Sequence, residues 1–508
     1  MLIAAPHLTR GRLVSVAETD REDQDLLAES RRRTALGVGL KTIYGSGNMV
    51  DGISVAVLSS FLLFYVTAVC GLSGTLAGAA LFIALGIDAF ADPALGSLSD
   101  NSWSRWGRRH PFMLGSAIPI AVAFGLMFSI PPQLKGLALF GYVTVVSIAV
   151  RVSLSTFIVP YTALGAELSD DYAERSSIVA YRVLFSVFAT FLVVFLGFSV
   201  FLHGDNGLLR RASYAPFGWT CGGLMLLAVV LSTVGTRGVL DRLHRVPVNS
   251  EPPLARFFRE IAEIFRNRSF RTLFLGAVIF FVAQGVAASL SLHANKFFWK
   301  LPVGIIQLIS GSAAVGLLLG LPISGIASRL FEKKTVVLAG IGGICVSQAF
   351  PPLIEIAGIL PNTGPVLYGV LIGNTIVAYA FVTCVVVAFQ SMMADAADEH
   401  EHLFGARREG LYFAGLSFGA KAASGLGGFI AGGALDMIGF PSAIAAQQGD
   451  HLHVASGTLR ALGLVYGPGA ALLTAVGVWV LGGYRLNRAE HARIQAELSE
   501  RRRAAVNL

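Results

Sequence analysis

The sequence is poor in charged residues. They make up 14% of its 508 residues, whereas soluble domains carry about 25%. Hydrophobic residues reach 54% of the chain, and the mean hydropathy is +0.67. A chain of this length and composition is not an ordinary soluble protein, so the sequence predicts a polytopic membrane protein.

Several chemical motifs are also missing. The four cysteines lie in or beside apolar runs without CxxC spacing, so neither a disulfide framework nor a zinc site is predicted. The sequence has no Walker loop and no nucleophile–base set, which argues against an ATP-driven pump or an enzyme and predicts no cofactor. The Arg-rich N-terminus lacks the apolar segment of a cleavable signal peptide. We assign the net charge of +8 to loops that face anionic lipid, and not to nucleic-acid binding.

Twelve apolar runs of about 20 residues or more predict membrane-spanning helices. They lie at 44–69, 74–99, 111–130, 137–166, 177–202, 216–236, 272–298, 303–328, 335–356, 364–392, 409–439 and 460–484. An even number of spans places both termini on one side of the membrane. Most of the 39 lysines and arginines fall on that side, so the positive-inside rule predicts that both termini are cytoplasmic.

A charged segment at 237–271 separates two sets of six runs. The predicted organisation is a cytoplasmic N-terminal tail (1–43), an N-terminal half (44–236), a central cytoplasmic loop (237–271), a C-terminal half (272–484) and a cytoplasmic C-terminal tail (485–508). Apolar residues at helical spacing over Leu254–Phe265 predict an amphipathic helix at the membrane surface. Both halves carry a basic loop after their second run, which favours the major facilitator architecture with a substrate site between the halves.

Two acids interrupt the second run. Asp88 and Asp92 are one helical turn apart and therefore lie on the same helix face. An ionised carboxylate at mid-bilayer costs about 2.5–3.5 kcal/mol, so we expect the pair to face a polar cavity and to bind a cation or share a proton. Ser155 is a candidate oxygen ligand nearby. The alternative is a structural ion pair of the acids with Lys421 or Arg151.

Other polar residues lie inside the apolar runs. Asp51, Arg151 and Arg182 either neutralise one another or bind substrate hydroxyl or carboxylate groups. Three amides can line the same cavity, although such residues more often hydrogen-bond between helices. They are Asn48, Gln284 and Asn374.

Charged clusters follow the second and tenth runs. We predict that they form a cytoplasmic gate in the outward-facing state, or else simply reflect the positive-inside topology. The candidate gate residues are Asp100, Arg105, Arg108, Arg109, Arg407 and Arg408. The stretch Asp398–His402 contains acids and histidines, but we place it in a cytoplasmic loop, and without a fixed ligand spacing it predicts no metal site.

Three stretches together resemble the glycoside–pentoside–hexuronide:cation symporters, the melibiose-carrier branch of the major facilitators. They are DAFADP at 88–93 with WGRR at 106–109, VPYTALGAE at 159–167, and SMMAD at 391–395 with RREG at 407–410. The three motifs occur in the family's order, and the resemblance covers most of the chain from 44 to 484. The animal lysolipid carriers resemble the same motifs more distantly.

The resemblance implies a twelve-helix symporter of a polar solute coupled to Na⁺ or H⁺. Asp88 and Asp92 fall on the family's cation-binding acids, and Lys421 falls on a lysine close to that site. Arg182 and Asp51 lie near its sugar-binding residues.

The sequence also departs from the family's sodium-coupled melibiose carriers. Ala91 stands where they have an asparagine, and Ile158 where they have an acid on the fourth helix. Tyr161 and its neighbour stand in place of their sugar-stacking tryptophan, so Tyr161 is the candidate substrate contact there. Na⁺ and H⁺ therefore both stay open as the coupling ion.

The resulting hypothesis is a monomeric carrier of the cell inner membrane. It would take up a small polar solute, a sugar or glycoside, together with a cation by alternating access. One alternative keeps the fold and carries an amphipathic or lysolipid-like solute. Another is a metal-dependent membrane enzyme that uses Asp398–His402.

Overall fold

The computed structural model describes residues 36–102, 104–169, 171–204, 207–238, 262–361, 363–405, 408–441 and 454–506. Across these residues the regular structure is helical. The predicted amphipathic helix over Leu254–Phe265 lies mostly outside the described residues.

We number the helices α1 to α13 in chain order. The N-terminal half contains α1 (Val38–Ser46, Met49–Ser60, Leu62–Phe64 and the π-helical turn Tyr65–Val69), α2 (Gly74–Asp100), α3 (His110–Gly115 and Ala117–Phe128), α4 (Gly136–Glu167), α5 (Tyr172–Phe195 and Leu196–Phe201) and α6 (Tyr214–Gly235). The C-terminal half contains α7 (Arg268–His293 and Ala294–Phe298), α8 (Val303–Leu330), α9 (Lys333–Ile356), α10 (Pro365–Phe404), α11 (Glu409–Met437) and α12 (Ser456–Leu464, Val465–Gly469 and Ala470–Gly482). A last helix, α13, spans Arg488–Val506.

Most of these helices can cross a membrane. Within the described residues ten are long and apolar enough, or eleven if α1 counts as one span with a bend of 42°. Helix α11 has 29 residues but is rich in glycine and carries Lys421, which lowers its hydropathy. The predicted all-helical membrane class is confirmed, and the predicted twelve spans are consistent with these helices plus α11.

The two halves meet at one end of the bundle. We call the end that carries Val38 and Tyr484 the inner end, and the opposite one the outer end. One large core fills the N-terminal half and continues across the outer ends of the C-terminal helices, and a second core fills the inner part of the C-terminal half.

The helix contacts between the halves agree with this division. Helix α1 packs against α7, α2 against α11 and α5 against α8. At the outer end the side chains of Thr67 and His293 hydrogen-bond at 2.9 Å, and Ser199 donates to Gln307 at 2.8 Å. The structure is therefore closed at the end that we label outer.

Two predicted boundaries differ from the structure. Helix α1 begins at Val38, within the predicted tail. The prediction that Asp398–His402 form a loop is wrong, because α10 continues through them to Phe404. The helix stops at Gly405, whose φ of 77° is the left-handed conformation that glycine adopts readily. Contacts with α13 stabilise the extension, and one of them joins Arg502 to Glu401 at 2.8 Å.

A reciprocal tyrosine pair fixes α1 on α4. The hydroxyl of Tyr44 donates to the Tyr161 carbonyl at 2.8 Å, and the hydroxyl of Tyr161 donates to the Tyr44 carbonyl at 2.8 Å. The rings stack at 4.6 Å. Gly165 makes room for this pair, since a Cβ there would lie 2.1 Å from the Tyr44 hydroxyl.

We therefore expect Gly165→Ala to lower the free energy of unfolding by about 1–3 kcal/mol through overpacking. Thermal unfolding of the purified protein in detergent measures the effect. Gly141→Ala is the matched control, because it is on the same helix and has nothing within 4 Å of its added Cβ. Equal midpoints for the two variants would contradict the expectation.

Candidate functional site

The two acids of α2 occupy different environments. Asp88 is buried, with 4% of its surface exposed, and the Ser155 hydroxyl of α4 donates to its Oδ1 at 2.5 Å. Asp92, one turn further along the helix, keeps 28% of its side chain exposed. Two carboxylates this close repel each other when both are ionised. They need a nearby positive charge, or else they share one proton.

A lysine from the other half supplies that charge. Lys421 of α11 places its Nζ 2.8 Å from Asp92 Oδ2 and 4.0 Å from Asp88 Oδ2. Arg151 of α4 lies within electrostatic range of both acids. The structure thus brings together the four residues predicted for the cation site, and it adds Arg151, which we had placed with the substrate. It also contains the ion pair that was the structural alternative.

One oxygen atom of the acidic pair lacks a hydrogen-bond partner among the described residues. Asp92 Oδ1 is buried and has no hydrogen-bond partner within the described part of the chain. Pro93 has no N–H, so the carbonyl of Ala89 one turn earlier lacks its helical donor. The sequence analysis did not single out this carbonyl, although the proline next to Asp92 was the signal for it. The carboxylate oxygens of the two acids and the Ser155 hydroxyl can bind a cation.

A cavity of about 260 Å³ adjoins these groups in the inner half of the bundle, between α2 and α11. Its walls include the apolar side chains of Leu85 and Phe418, and its polar groups are the two acids, Ser417 and Lys421. This volume lies just below the roughly 300 Å³ at which the range of small-molecule sites begins.

A second polar cluster joins α1, α4 and α5. The Arg182 guanidinium donates to Asn48 Oδ1 at 3.3 Å and to the Thr162 hydroxyl at 3.4 Å. It also lies over the Tyr161 ring, 5.3 Å from its centroid. Asp51 is within electrostatic range of Arg182. The structure therefore groups four of the predicted substrate residues: Asn48, Asp51, Tyr161 and Arg182. Tyr161 is only 1% exposed, and its ring packs against the guanidinium of Arg182.

The two other predicted amides bind neighbouring helices of the C-terminal half. Gln284 accepts from Gln348 at 2.9 Å, which links α7 to α9. Asn374 donates to the Ser347 carbonyl at 3.0 Å, which links α10 to α9. The structure does not bring either of them to the Arg182 cluster.

The predicted gate residues pair within their own halves in this closed-outside state. Arg109 lies 3.2 Å from Asp100 and 2.6 Å from Glu167, and Arg108 also pairs with Glu167.

In the C-terminal half, Arg408 lies 3.6 Å from Glu263. Arg105 is exposed, and Arg407 lies outside the described residues. The gate role of these residues stays a prediction.

Comparison with known proteins identifies matches along most of the chain. The sequence profile of a family described as MFS/sugar transport protein matches residues 43–488. An isoprimeverose transporter of Lactiplantibacillus pentosus is 23% identical over 77% of this chain and 78% of its own. The sodium-dependent lysophosphatidylcholine symporter 1 of Gallus gallus is 26% identical over 83% and 82%. The inward open structure of the xylose transporter XylE from E. coli shares the fold, with a TM-score of 0.57, 15% identity and coverage of 90% and 99%.

The packing of α2 on α11 generates a crosslinking prediction. A Cβ added at Gly425 would lie 3.3 Å from the Leu85 Cβ, close to the roughly 3.8 Å of a disulfide. On a background without the native cysteines, we expect Leu85→Cys with Gly425→Cys to form a disulfide under mild oxidation. Transport should stop and should return on reduction. Mass spectrometry of free thiols and an uptake assay measure the two effects.

The control pairs Leu85→Cys with Gly433→Cys, since Gly433 is on the same helix and faces open space. A disulfide in the control but not in the test pair would contradict this arrangement of the two helices.

Proposed function

This chain belongs to the MFS/sugar transport protein family, and on that premise we propose that it couples cation movement to the uptake of a sugar or glycoside by alternating access. The resemblance to the glycoside–pentoside–hexuronide:cation symporters is confirmed by this profile and by relatives named as symporters and sugar carriers.

One observation carries the proposal. The acids of α2, in the N-terminal half, are bridged by Lys421 of α11, in the C-terminal half, next to the inner cavity. Acids inside a membrane span are costly and belong to ion pathways by default. A bridge between the two halves that depends on charge is the contact through which an ion can affect their relative movement.

The proposed cycle follows from this bridge. A cation that binds at Asp88 and Asp92 neutralises the charge that Lys421 now balances, so Lys421 loses its partner and the inner contact between α2 and α11 weakens. Cation and cargo then favour each other's binding, because both act on the same equilibrium between states. The return of Lys421 to Asp92 restores the state seen here.

The coupling ion is H⁺ or Na⁺. A proton needs only the two carboxylates, whereas Na⁺ would use Asp92 Oδ1, Asp88, the Ser155 hydroxyl and the Ala89 carbonyl as ligands. These oxygens are few, which favours H⁺. One relative is named as a sodium-dependent symporter, so Na⁺ is the competing outcome of the uptake test below.

The sugar cargo is supported by the polar cluster of the N-terminal half. Arg182, Asn48 and Asp51 present donors and acceptors suited to hydroxyl groups, and relatives are named for isoprimeverose and for a glucuronide. A second candidate is a lysolipid-like cargo, which the apolar walls at Leu85 and Phe418 and the lysophosphatidylcholine symporter among the relatives favour.

We also propose the orientation of the chain. Both termini would face the cytoplasm of a bacterial cell, which places the basic turn at Arg108 and Arg109 on the inner side, as the positive-inside rule requires. In the outward-facing state these arginines and Arg408 would close the inner end.

We impose a pH gradient and a Na⁺ gradient separately on vesicles that contain the wild-type protein. We expect one of the two gradients to drive accumulation of a labelled sugar from a panel, and the other to have no effect. Asp92→Asn should abolish accumulation under the driving gradient, because the ion-binding charge is lost. It should keep exchange of sugar without a gradient. Glu490→Gln is the control, since this side chain of α13 is 43% exposed and pairs with Arg493 of the same helix, and it should behave as wild type.

Accumulation that survives in Asp92→Asn would contradict the coupling role of the acids. If no sugar accumulates under either gradient but a labelled lysolipid does, the sugar proposal fails and the lysolipid candidate replaces it.

A further inference from the structure

The outer end of α2 is capped by a residue of the other half. Asp436, at the last turn of α11, accepts hydrogen bonds from the backbone N–H groups of Gly74 at 2.8 Å and Thr75 at 2.7 Å. The first N–H groups of a helix have no partner within it and need an acceptor. Only the next one is satisfied locally, by Ser73, which accepts from Leu76.

The contact requires that the two backbones come very close together. A Cβ on Gly74 would lie 2.1 Å from the Gly432 carbonyl oxygen, and a Cβ on Gly432 would lie 2.0 Å from the Gly74 carbonyl oxygen. Any larger residue at either position would push the outer end of α2 away from α11. Two glycines and one carboxylate thus hold the halves together at this point.

We propose that Asp436 is the latch of the outer gate. Its carboxylate holds the positive end of α2 while the protein is closed outside, and it must leave Gly74 and Thr75 before cargo can enter from the outer side. This inference rests on the proposed alternating access, but not on the identity of cargo or ion.

The latch joins the same two helices as the cation site. At the inner contact an acid of α2, Asp92, meets a cation of α11, Lys421. At the outer contact an acid of α11, Asp436, meets the positive end of α2. Asp436 and Lys421 are 15 residues apart, about 22 Å along the helix. When an ion releases Lys421, the hydrogen bonds from Gly74 and Thr75 to Asp436 still join these two helices.

Two single-cysteine reporters in nanodiscs test the latch. Leu435→Cys reports on the outer end, because Leu435 is 1% exposed and its Cβ lies 3.1 Å from a Cβ added at Gly74, and Ser417→Cys reports on the inner cavity. In a background without native cysteines we expect Asp436→Ala to speed maleimide labelling at 435 about five- to tenfold, the usual effect of losing a helix cap. Labelling at 417 should slow.

Opposite changes at the two reporters separate a latch from a general loss of stability, which would speed both. Asp436→Asn should give an intermediate rate, since its one amide oxygen can accept only part of the contact. Gly432→Ala should also speed labelling at 435. Glu355→Ala removes the same charge from α9 within one half and should change neither rate.

Wild-type labelling rates at both reporters in Asp436→Ala would overturn the latch. If that variant cannot be purified, Asp436→Asn decides by the same criterion. Failure of every cargo in the uptake assay, with labelling still shifted by Asp436→Ala, would overturn the proposed cargo and leave the latch standing.

Discussion

The organisation of this protein depends on holding two carboxylates inside a membrane. Helix α2 carries no lysine or arginine, so any charge on Asp88 and Asp92 is balanced from other helices. Ser155 and Arg151 approach from α4, and Lys421 approaches from the opposite half. This demand adds a charge-dependent bridge to the contacts that join the two halves at the outer end. In the proposed cycle, an ion that binds the acids in place of Lys421 would change how the halves are held.

The contacts of the other charged residues support one state of such a cycle. The halves touch at the outer end, while the arginines at the inner end, Arg108 and Arg109, bind Glu167 within their own half. These inner residues can exchange partners when the inner ends approach. In the proposed outward-facing state the outer contacts at Thr67 and Asp436 would be lost. The proposed cycle therefore needs the same charges to find partners in both arrangements.

Much of the site could be predicted from the sequence, because carboxylates, a lysine and arginines in apolar runs are visible without a structure. The hydropathy pattern likewise predicted the helices and their two sets. What it could not supply is which helices face each other. Arg151 was named both as a partner of the acids and as a substrate residue, and the structure places it by the acids. Tyr161 was a candidate substrate contact, but it is buried beside Tyr44. Asp436 was missed because its partners are backbone N–H groups about 360 residues away in the chain, and a lone acid at a helix end carries no sign of them.

The composition of α11 has a consequence for the biogenesis of the protein. Its glycines permit close approach to α2, and its lysine reaches Asp92, but both lower its affinity for lipid. A lysine at the centre of a span costs about 2.5–3.5 kcal/mol during insertion by the translocon. Helix α11 therefore gains its place in the bilayer from α2 and α7, which it packs against. Both α2 and α7 precede α11 in the chain. We therefore expect these two helices to be in the membrane before α11 leaves the ribosome, so that the order of synthesis helps α11 to insert.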